Sequence, residues 1–392
     1  MKPGVGRRQQ VSNGRRVAGS TKQVRCDRVE GLGIQAQSPG SPLFRSSSSS
    51  LRRALTVEQT AACGGKTPGL LVTMQQRRPA HQIIDGVPRC TGLNADRLRE
   101  NLKFRAKKGD VVQVTFPKSG THWLMYITHL ILREGQPMTT YEEFAKEWRF
   151  VEYMDIKDWT SSLPLRTFAT HLALDKRSMT EEGKYVYLAR NPWDVCVSFY
   201  HMATNISSYE FQDGTFEDLV DAFVSGNFGY GDYFEHVAAG YALREQPNVF
   251  FATYEELKKN TSEVVLRLAY FLGDQYGRAL EEDEASLQKL LERSQPDYMR
   301  NVVVLDLSGK GNPQWDEVIS SKKVTCNEGH EGDKNKYSYV RRGKVGSWKD
   351  YFTPDLLRRM ENRILEAERE SSFMDLWKDI RAEAIRTMQN SE

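Results

Sequence analysis

Residues 111–134 constrain the fold of this chain more than any other stretch of its sequence. Residues 111–116 are mostly apolar or β-branched, which is typical of a buried strand. Pro117 ends the strand because it has no N–H group to donate, and Gly120 allows a tight turn after it. Apolar side chains then recur at helical spacing over residues 123–131. The sequence therefore predicts a strand, a tight turn and a helix in direct succession.

The predicted turn has the properties of an anion-binding site. The first N–H groups of a helix have no partner within it, and the helix dipole adds positive charge at the same end. Lys118 supplies a full charge, and Ser119 and Thr121 place a hydroxyl group on each side of Gly120. The common nucleotide-binding loop, G-x-x-x-x-G-K-[ST], differs because its lysine follows the glycine. An ordinary strand-to-helix turn with an exposed lysine is the alternative interpretation.

Residues 185–190 and 248–253 are two further predicted strands, and a helical pattern follows each of them. Arg190 lies at the carboxyl end of its strand, and Ser198 lies two turns along the following helix. Ligands of open α/β sheets collect at the carboxyl ends of the strands, so both side chains can face one phosphate. The planar fork of an arginine suits phosphate oxygens, although an arginine after a strand is often only a solvated cap.

His171 is the candidate proton acceptor of the chain. It follows a short strand end at Phe168 and Ala169. A histidine beside apolar residues is often a packing residue, and the residues alone leave that interpretation open. A neutral imidazole, with an ordinary pKa near ~6.5, can also take a proton from an attacking hydroxyl group.

The formal net charge of +3 conceals a division of the chain. Residues 1–73 carry 12 Lys and Arg against 3 Asp and Glu, whereas the remaining residues carry 43 against 49. The first 73 residues are rich in Gly, Ser and Arg and hold one aromatic residue, Phe44. Such a composition buries too little apolar surface to offset the loss of chain entropy, so we predict a disordered basic leader. The mildly acidic remainder gives no support to a nucleic-acid-binding face.

Residues 116–123, FPKSGTHW, resemble the 5′-phosphosulfate loop of the cytosolic sulfotransferases, [YF]-P-K-[SA]-G-T-x-W. That family moves a sulfonate group from 3′-phosphoadenosine 5′-phosphosulfate (PAPS) to a hydroxyl or amine of a small acceptor. YLARNPWDVCVSFYH, residues 187–201, resembles the family's 3′-phosphate motif, and YVRRGKVGSWKDYFT, residues 339–353, resembles its R-K-G-x-x-G-D-W-K-x-x-F-T element. The resemblance suggests an arthropod-like small-molecule sulfotransferase. It implies a three-layer α/β domain of the P-loop type with a central, mostly parallel sheet flanked by helices.

The resemblance also implies roles for individual residues. His171 matches the general base, and Lys118 would stabilise the departing phosphate oxygen. The implied nucleotide-binding residues are Lys118, Ser119, Gly120, Thr121, His122 and Trp123 around the 5′ end, with Trp123 stacking on the adenine, and Arg190, Ser198, Tyr254, Ser294, Arg341, Arg342 and Gly343 elsewhere. Candidate acceptor-pocket residues are Phe150, Tyr230 and Tyr233. PAPS is the expected co-substrate, and no metal is expected.

Several positions depart from the family pattern. Ala169 stands where many members have a lysine two residues before the histidine, which puts turnover and acceptor range in question. Arg342 replaces a lysine, and Ser347 replaces an aspartate. The short dimer motif K-x-x-x-T-V-x-x-x-E is broken at Pro354 and Arg358, so we expect a monomer or a weak homodimer.

Three alternative functions follow from these features. A P-loop kinase or NTPase would need its lysine after the glycine and an acidic magnesium ligand at a strand end, and neither arrangement is present. A PAPS-binding protein with weak or no activity is the alternative that Ala169 raises. A membrane-anchored carbohydrate sulfotransferase would need an N-terminal anchor, which residues 1–73 do not supply.

The sequence thus predicts two regions, a leader over residues 1–73 and a sulfotransferase domain over residues 74–392. Residues 305–336 are polar and contain four glycines, and we expect them to form a mobile insertion in the domain. The expected partner is a small-molecule acceptor, with no nucleic acid and no membrane. The expected location is the cytoplasm.

Overall fold

The computed structural model describes residues 77–309 and 323–390, together with Asp316 and Ile319. The predicted leader lies outside these residues. The strands of the described part are β1 (His81–Ile84), β2 (Val87–Cys90), β3 (Asp110–Thr115), β4 (Trp148–Phe150), β5 (Arg166–Thr170), β6 (Lys184–Ala189), β7 (Val249–Thr253), β8 (Val304–Asp306) and β9 (Lys336–Ser338). Strands β1 and β2 form an antiparallel hairpin, and β8 pairs with β9 in the same way.

Helices occupy most of the remaining described chain. The α-helices are α1 (Ala95–Asn101), α2 (Thr121–Leu132), α3 (Tyr141–Lys146), α4 (Pro192–Asn205), α5 (Phe216–Val224), α6 (Tyr233–Ala242), α7 (Tyr254–Lys259), α8 (Thr261–Leu272), α9 (Asp274–Glu282), α10 (Glu284–Arg293), α11 (Pro296–Val302), α12 (Pro354–Ala367) and α13 (Lys378–Gln389). Short 3₁₀ turns span Ser207–Tyr209, Ser347–Asp350 and Phe373–Trp377.

A five-stranded sheet with the strand order β4, β5, β3, β6, β7 forms the core, and each neighbouring pair is parallel. All six residues of β3 are buried, as expected for the central strand of a sheet covered on both faces. Helices flank the sheet, with α2 packing on β3 and also against α8 and α10. The predicted α/β domain with a central parallel sheet is confirmed.

The strand ends bring the predicted functional residues to one edge of the sheet. Strands β5, β3 and β6 are neighbours and run in the same direction. His171 lies one residue beyond β5, and Arg190 lies one residue beyond β6. Lys118 lies three residues beyond β3, in the turn before α2. The parallel order of the sheet therefore places all three residues at its carboxyl edge.

The polar segment that separates β8 from β9 is attached to the end of α4 where it is described. The backbone N–H of Ser207 donates to the carbonyl of Thr325 (2.9 Å), and the N–H of Asn327 donates to the carbonyl of Asn205 (2.9 Å). Most of residues 310–322 lie outside the described part of the chain. The mobility expected for residues 305–336 therefore stays a prediction.

Cys90, Cys196 and Cys326 are buried free thiols. Cys26 and Cys63 lie outside the described residues. Within the described ranges, every helix is too short or too polar to cross a membrane.

We predict that Asp110→Asn lowers the free energy of unfolding by about 2–4 kcal/mol, because it removes one partner of a shielded ion pair. The Asp110 side chain is 1% exposed, and both of its oxygens accept from the Arg166 guanidinium at 2.8 Å. Asp96→Asn is the matched control, since Asp96 is 94% exposed in its pair with Arg99. It should cost well under about 1 kcal/mol in the same urea titration. Equal losses in the two variants would contradict this account.

Candidate active site

Residues from several separate parts of the chain line one groove at the carboxyl edge of the sheet. The turn before α2 contributes Lys118, Gly120, Thr121, His122 and Trp123; the β6–α4 region contributes Arg190 and Ser198; α7 contributes Tyr254; and the segment after β9 contributes Tyr339, Arg341, Arg342 and Gly343. The groove encloses about 130 Å³ and opens into a cleft of about 530 Å³ that shares residues 341–344 with it. The three predicted basic clusters thus lie together.

The turn between β3 and α2 has an unusual backbone that aims the helix N-terminus at the groove. Lys118 has a φ of 71° and Gly120 a φ of 109°, so both occupy the left-handed region. A Cβ atom on Gly120 would lie 2.9 Å from the ring of Tyr254, so only glycine fits here without displacing that ring. The N–H groups of the first turn of α2 have no partner within the helix. They are therefore available to an anion.

Lys118 lies in the groove close to two other cations. Its Nζ atom lies 3.4 Å from the Tyr337 hydroxyl. Burial lowers the pKa of Lys118 to about 7, and the neighbouring charges of Arg341 and Arg190 add to this effect. Without a bound anion, its ammonium group is therefore easily deprotonated.

Arg190 is fixed by backbone groups rather than by a close carboxylate. Its guanidinium donates to the carbonyls of Lys118 (3.1 Å) and Lys344 (3.0 Å), and it lies 4.2 Å from the centre of the Tyr254 ring. Asp194 is the nearest acid, with its Oδ2 atom 3.8 Å from Nη2. The buried Nε of Arg190 has no hydrogen-bond partner among the described residues. Arg190 thus retains donor capacity for a ligand.

Asp194 fixes the loop that carries the third basic cluster. Its two carboxylate oxygens accept from the backbone N–H groups of Gly346 (2.9 Å) and Trp348 (3.1 Å). Gly343 has a φ of 61°, and a Cβ atom there would lie 2.5 Å from Pro296. These contacts hold Arg341 and Arg342 over the groove. Burial and the charges of Arg342 and Arg190 lower the pKa of Arg341.

Aromatic rings form another wall of the groove. Trp123 and Tyr254 have ring centroids 5.1 Å apart, and the Trp123 indole N–H donates to the carbonyl of Ser294 (2.9 Å). Ser294 itself does not line the groove: its side chain is buried, and its hydroxyl donates to the Leu291 carbonyl (2.9 Å). Its observed contact with the site is therefore indirect, through Trp123. The Ser119 side chain is also buried below the turn.

A second cavity of about 620 Å³ lies beside the groove, and His171 is the residue that lines both spaces in the described structure. The His171 Nδ1 atom lies 2.7 Å from the carbonyl oxygen of Thr115. A carbonyl can only accept, so Nδ1 carries the proton and Nε2 has a free lone pair. Burial lowers the pKa of His171 to about 4, which keeps the imidazole neutral. His171 is therefore arranged as a proton acceptor.

Glu152 supports the backbone of this histidine. Its Oε1 atom accepts the backbone N–H of His171, while its buried Oε2 atom has no hydrogen-bond partner among the described residues. Burial raises the pKa of Glu152 to about 7. Glu152 therefore holds the strand end that presents His171.

The three candidate acceptor-pocket residues occupy different positions. Tyr230 lines the second cavity, with its ring centroid 5.7 Å from that of His171. Phe150 packs against His171 from the protein interior, at 4.8 Å. Tyr233 is fully buried, lies outside the cavity lining, and donates its hydroxyl to the Arg190 carbonyl. It supports the groove from behind instead of contacting the cavity.

Three residues that support the site were not predicted from the sequence: Tyr339, which lines the groove, and Tyr337 and Glu152, which contact Lys118 and His171. Tyr339 stacks on His122 with ring centroids 3.8 Å apart, and Tyr337 contacts Lys118. Tyr339 opens the basic motif YVRRG, which is a signal that could have included it. Tyr337 had no such signal, because it lies far along the chain from Lys118 and meets it only in the folded structure. Glu152 had none either, because its role depends on its burial.

Comparisons with known proteins identify the family of this chain. The sulfotransferase domain family model matches residues 108–372, which is more than half of the chain, so the chain belongs to the sulfotransferase family. A 3-alpha-hydroxysteroid sulfotransferase of Cavia porcellus is 31% identical over 262 residues, covering 64% of this chain and 80% of that protein. Cytosolic sulfotransferase 1 of Arabidopsis thaliana is 31% identical over 283 residues, covering 67% and 78%. The arthropod-like character stays a prediction.

Solved structures show the same fold. The mouse sulfotransferase SULT7A1 complexed with PAP superimposes with a TM-score of 0.56 at 22% identity, covering 77% of this chain and 99% of that chain. Retinol dehydratase in complex with androsterone and the inactive cofactor PAP gives a TM-score of 0.55 at 21% identity, covering 71% and 87%. The predicted sulfotransferase class is confirmed. Among the described residues, no cluster of three or more His, Cys, Asp or Glu is suited to hold a metal ion.

We predict that the protein loses stability as the pH falls from about 6.5 towards 4, and that His171→Gln reduces this loss. The pKa of His171 is lowered by burial, so the unfolded chain binds its proton first and the stabilising contribution is complete only above the unfolded pKa. The variant should flatten the slope of unfolding free energy by up to about 1.4 kcal/mol per pH unit. Urea titrations between pH 4 and 7.5 measure this slope. An unchanged slope would mean that His171 titrates normally.

Proposed function

We propose that the chain transfers a sulfonate group from PAPS to a hydroxyl or amine of a small-molecule acceptor. The observation that carries this proposal is the position of His171, which lines both the cationic groove and the second cavity. A donor in the groove and an acceptor in the cavity would meet at this histidine. The Nε2 atom of His171 is the available base at that point.

The groove offers complementary partners to each part of the donor. The turn formed by Lys118 to Trp123 would hold the 5′-phosphosulfate through backbone N–H groups, the helix dipole and the lysine. Arg190, Ser198 and residues 341–343 would hold the 3′-phosphate, since charged bidentate donors suit phosphate oxygens. Trp123 would stack on the adenine, with Tyr254 beside it. Two carboxylates lie at ion-pair distance from the groove cations, Asp194 at 3.8 Å from Arg190 and Asp350 at 3.5 Å from Arg342, and Lys118 and Arg341 leave an excess of positive charge that favours a multiply charged anion.

The proposed transfer needs one proton acceptor and one stabilised leaving group. His171 would take the acceptor's proton at Nε2 while the acceptor oxygen or nitrogen forms a bond to sulfur. The bond between sulfur and the bridging phosphate oxygen would break on the opposite side, leaving PAP. Lys118 and the N–H groups of α2 would stabilise the charge on that oxygen, which is the type of electrostatic contribution usually largest in catalysis. No step requires a metal, since side chains supply the positive charge.

A PAPS-binding protein with little activity is the less favoured alternative. Ala169 is fully buried in β5, so the cation that many family members place there is missing. Against this alternative, the chain has a neutral histidine with a free nitrogen and a cavity of substrate size beside it. Lys118, Arg190 and Arg341 remain to balance the negative charge of the transferring group.

We further propose a cytoplasmic monomer or weak homodimer that needs neither nucleic acid, membrane nor metal. The proline at the start of α12, Pro354, interrupts the family's dimer motif, which supports the weak association. The domain would span residues 74–392, and the basic leader of residues 1–73 would precede it.

Replacing His171 by alanine should abolish sulfonate transfer and leave PAP affinity within about threefold of wild type. General-base catalysis contributes on the order of 10²–10⁴ in rate, whereas the imidazole adds no charge to the donor site. Single-turnover transfer to a panel of phenols and alcohols, with PAP binding by calorimetry, separates the two effects. Unchanged transfer in this variant would remove His171 from the mechanism. His129→Ala is the matched control, since His129 is buried against Thr167, away from both the groove and the cavity.

Binding of PAP at pH 8 should be accompanied by uptake of about one proton by Lys118. The pKa of Lys118 is lowered to about 7 in the free protein, so the amine is mostly neutral at pH 8. A phosphate beside it favours the charged form and raises that pKa. Calorimetry in buffers of different ionisation enthalpy measures the uptake, which should vanish at pH 6. Lys118→Arg is the control because arginine stays charged, and equal uptake in that variant would contradict the assignment.

A further inference from the structure

The second cavity has an apolar wall and a polar wall, and its charged lining residues are Arg89, Arg105, Asp175, Arg177, Asp232 and Glu235. Its volume of about 620 Å³ is ample for a substituted phenol or a similar small acceptor. The residues that form its apolar wall include Phe104, Val112, Val114, Val151, Leu174 and Tyr230. An acceptor in this space would therefore have an apolar body, with its reacting group at His171.

The acidic side chains around this cavity already have partners or face solvent. Asp175 forms an ion pair with Arg177 (2.7 Å), and Asp232 forms one with Arg363 (2.7 Å). Glu235 is exposed to solvent. These carboxylates therefore leave no buried negative charge on the cavity wall for an acceptor to neutralise.

Two arginines of the lining, Arg89 and Arg105, have no carboxylate at ion-pair distance in the described chain; Arg105 is exposed and donates to the carbonyls of Leu102 (3.1 Å) and Phe104 (2.8 Å), whereas Arg89 is half-buried. Its Nε atom is shielded from solvent and has no hydrogen-bond partner among the described residues. A buried donor of a charged group that lacks a partner is costly. An anion entering the cavity would supply the missing acceptor.

The β1–β2 hairpin that carries Arg89 packs closely on neighbouring segments of the cavity wall. The Gln82 side chain donates to the carbonyls of Cys90 (2.8 Å) and Leu93 (2.9 Å). A Cβ atom on Gly229 would lie 3.0 Å from the Cys90 backbone, so the hairpin packs closely on the segment that carries Tyr230. The Cys90 thiol and Tyr153 hydroxyl lie 2.8 Å apart, which ties the hairpin to the wall beside His171. The packing of the hairpin therefore fixes the position of the Arg89 backbone.

Glu152 is a buried carboxyl group whose pKa the charge of Arg89 tends to lower. The two side chains are not within ion-pair distance of each other, and Glu152 does not line the cavity. Burial raises the pKa of Glu152 to about 7 despite the opposing effect of Arg89, and its Oε1 atom already accepts the His171 N–H. Glu152 therefore does not use the donor capacity of Arg89 that faces the cavity.

From this arrangement we propose that Arg89 is a specificity residue for acceptors that carry a carboxylate in addition to the hydroxyl group that is sulfonated. The planar guanidinium fork can bind a carboxylate in bidentate fashion, while His171 takes the proton of the hydroxyl. The acceptor class is thus a hydroxy acid with an aromatic or apolar body. This inference rests on the proposed function, and its test separates the two.

The test compares two phenols of nearly the same shape, 3-(4-hydroxyphenyl)propanoate and its amide, with the full chain and PAPS. Wild type should use the acid with a kcat/KM at least about tenfold above that of the amide, since a charged hydrogen bond is lost in the amide. Arg89→Gln should lower kcat/KM for the acid by about ten- to a hundredfold and change that for the amide by less than about threefold. Arg89→Lys should retain part of the preference, because it keeps the charge and loses the fork.

Arg77→Gln is the control, because Arg77 is an exposed arginine outside the cavity, paired with Asp213. It should leave both rates unchanged. A parallel loss of acid and amide turnover in Arg89→Gln would show that Arg89 supports Glu152 or the hairpin, and would overturn the proposal. Equal use of acid and amide by wild type would overturn it as well.

Calorimetric binding of the acid in the presence of PAP needs no turnover and therefore separates this proposal from the proposed function. Acid binding that weakens at least about tenfold in Arg89→Gln supports the carboxylate site even if no phenol is sulfonated, in which case the proposed function alone fails. Acid binding that is the same in wild type and Arg89→Gln overturns the carboxylate site.

Discussion

Burial of several cations in one groove is the physical constraint on which this site depends. Burial, together with the charges of Arg341 and Arg190, lowers the pKa of Lys118, and burial with the charges of Arg342 and Arg190 lowers the pKa of Arg341. Such an arrangement is costly unless an anion occupies the groove. Asp194 offsets part of this cost, with its carboxylate 3.8 Å from the Arg190 guanidinium. The same carboxylate anchors the loop at Gly346, so Asp194 contributes both to charge balance and to the position of the loop.

The sheet also positions the proton acceptor next to the anion-binding groove. Because β5 and β3 are parallel neighbours, the strand end that carries His171 lies next to the strand end that leads to the phosphate loop. Thr115 connects them: its carbonyl accepts from His171 Nδ1, and its hydroxyl lies 2.7 Å from that of Thr121. The proton acceptor and the anion site are therefore positioned by the same backbone, which keeps donor and acceptor in a fixed relation.

Local sequence patterns were sufficient for the elements that carry this chemistry. The strand, proline, glycine and helix of residues 111–134 fix the turn at Lys118, and Arg190 follows a buried strand whose end faces the same edge. Those signals are local, since composition and spacing within one segment define them. Only one further rule was needed to predict that these residues lie together, namely that parallel strands share a carboxyl edge at which ligands bind.

Contacts between distant segments were beyond the reach of the sequence. Tyr233 is an aromatic residue in a promising motif, yet the turn of α6 directs it to the Arg190 carbonyl and away from the cavity. Ser294 matches a family hydroxyl, but its side chain satisfies its own helix and its carbonyl meets Trp123. Tyr337 reaches Lys118 from more than two hundred residues away. The spacing of residues along the sequence does not specify where these side chains point.

The central claim is that one groove binds both phosphate ends of an adenosine nucleotide, and deleting one phosphate from the ligand tests it most directly. Calorimetry would compare PAP with 5′-AMP, which lacks the 3′-phosphate, on wild type and on Arg190→Ala. The account predicts that the variant loses about 1.5–3 kcal/mol of binding free energy for PAP and almost none for 5′-AMP, because the proposal assigns Arg190 to the 3′-phosphate. Equal losses for the two ligands, or no loss for PAP, would contradict it.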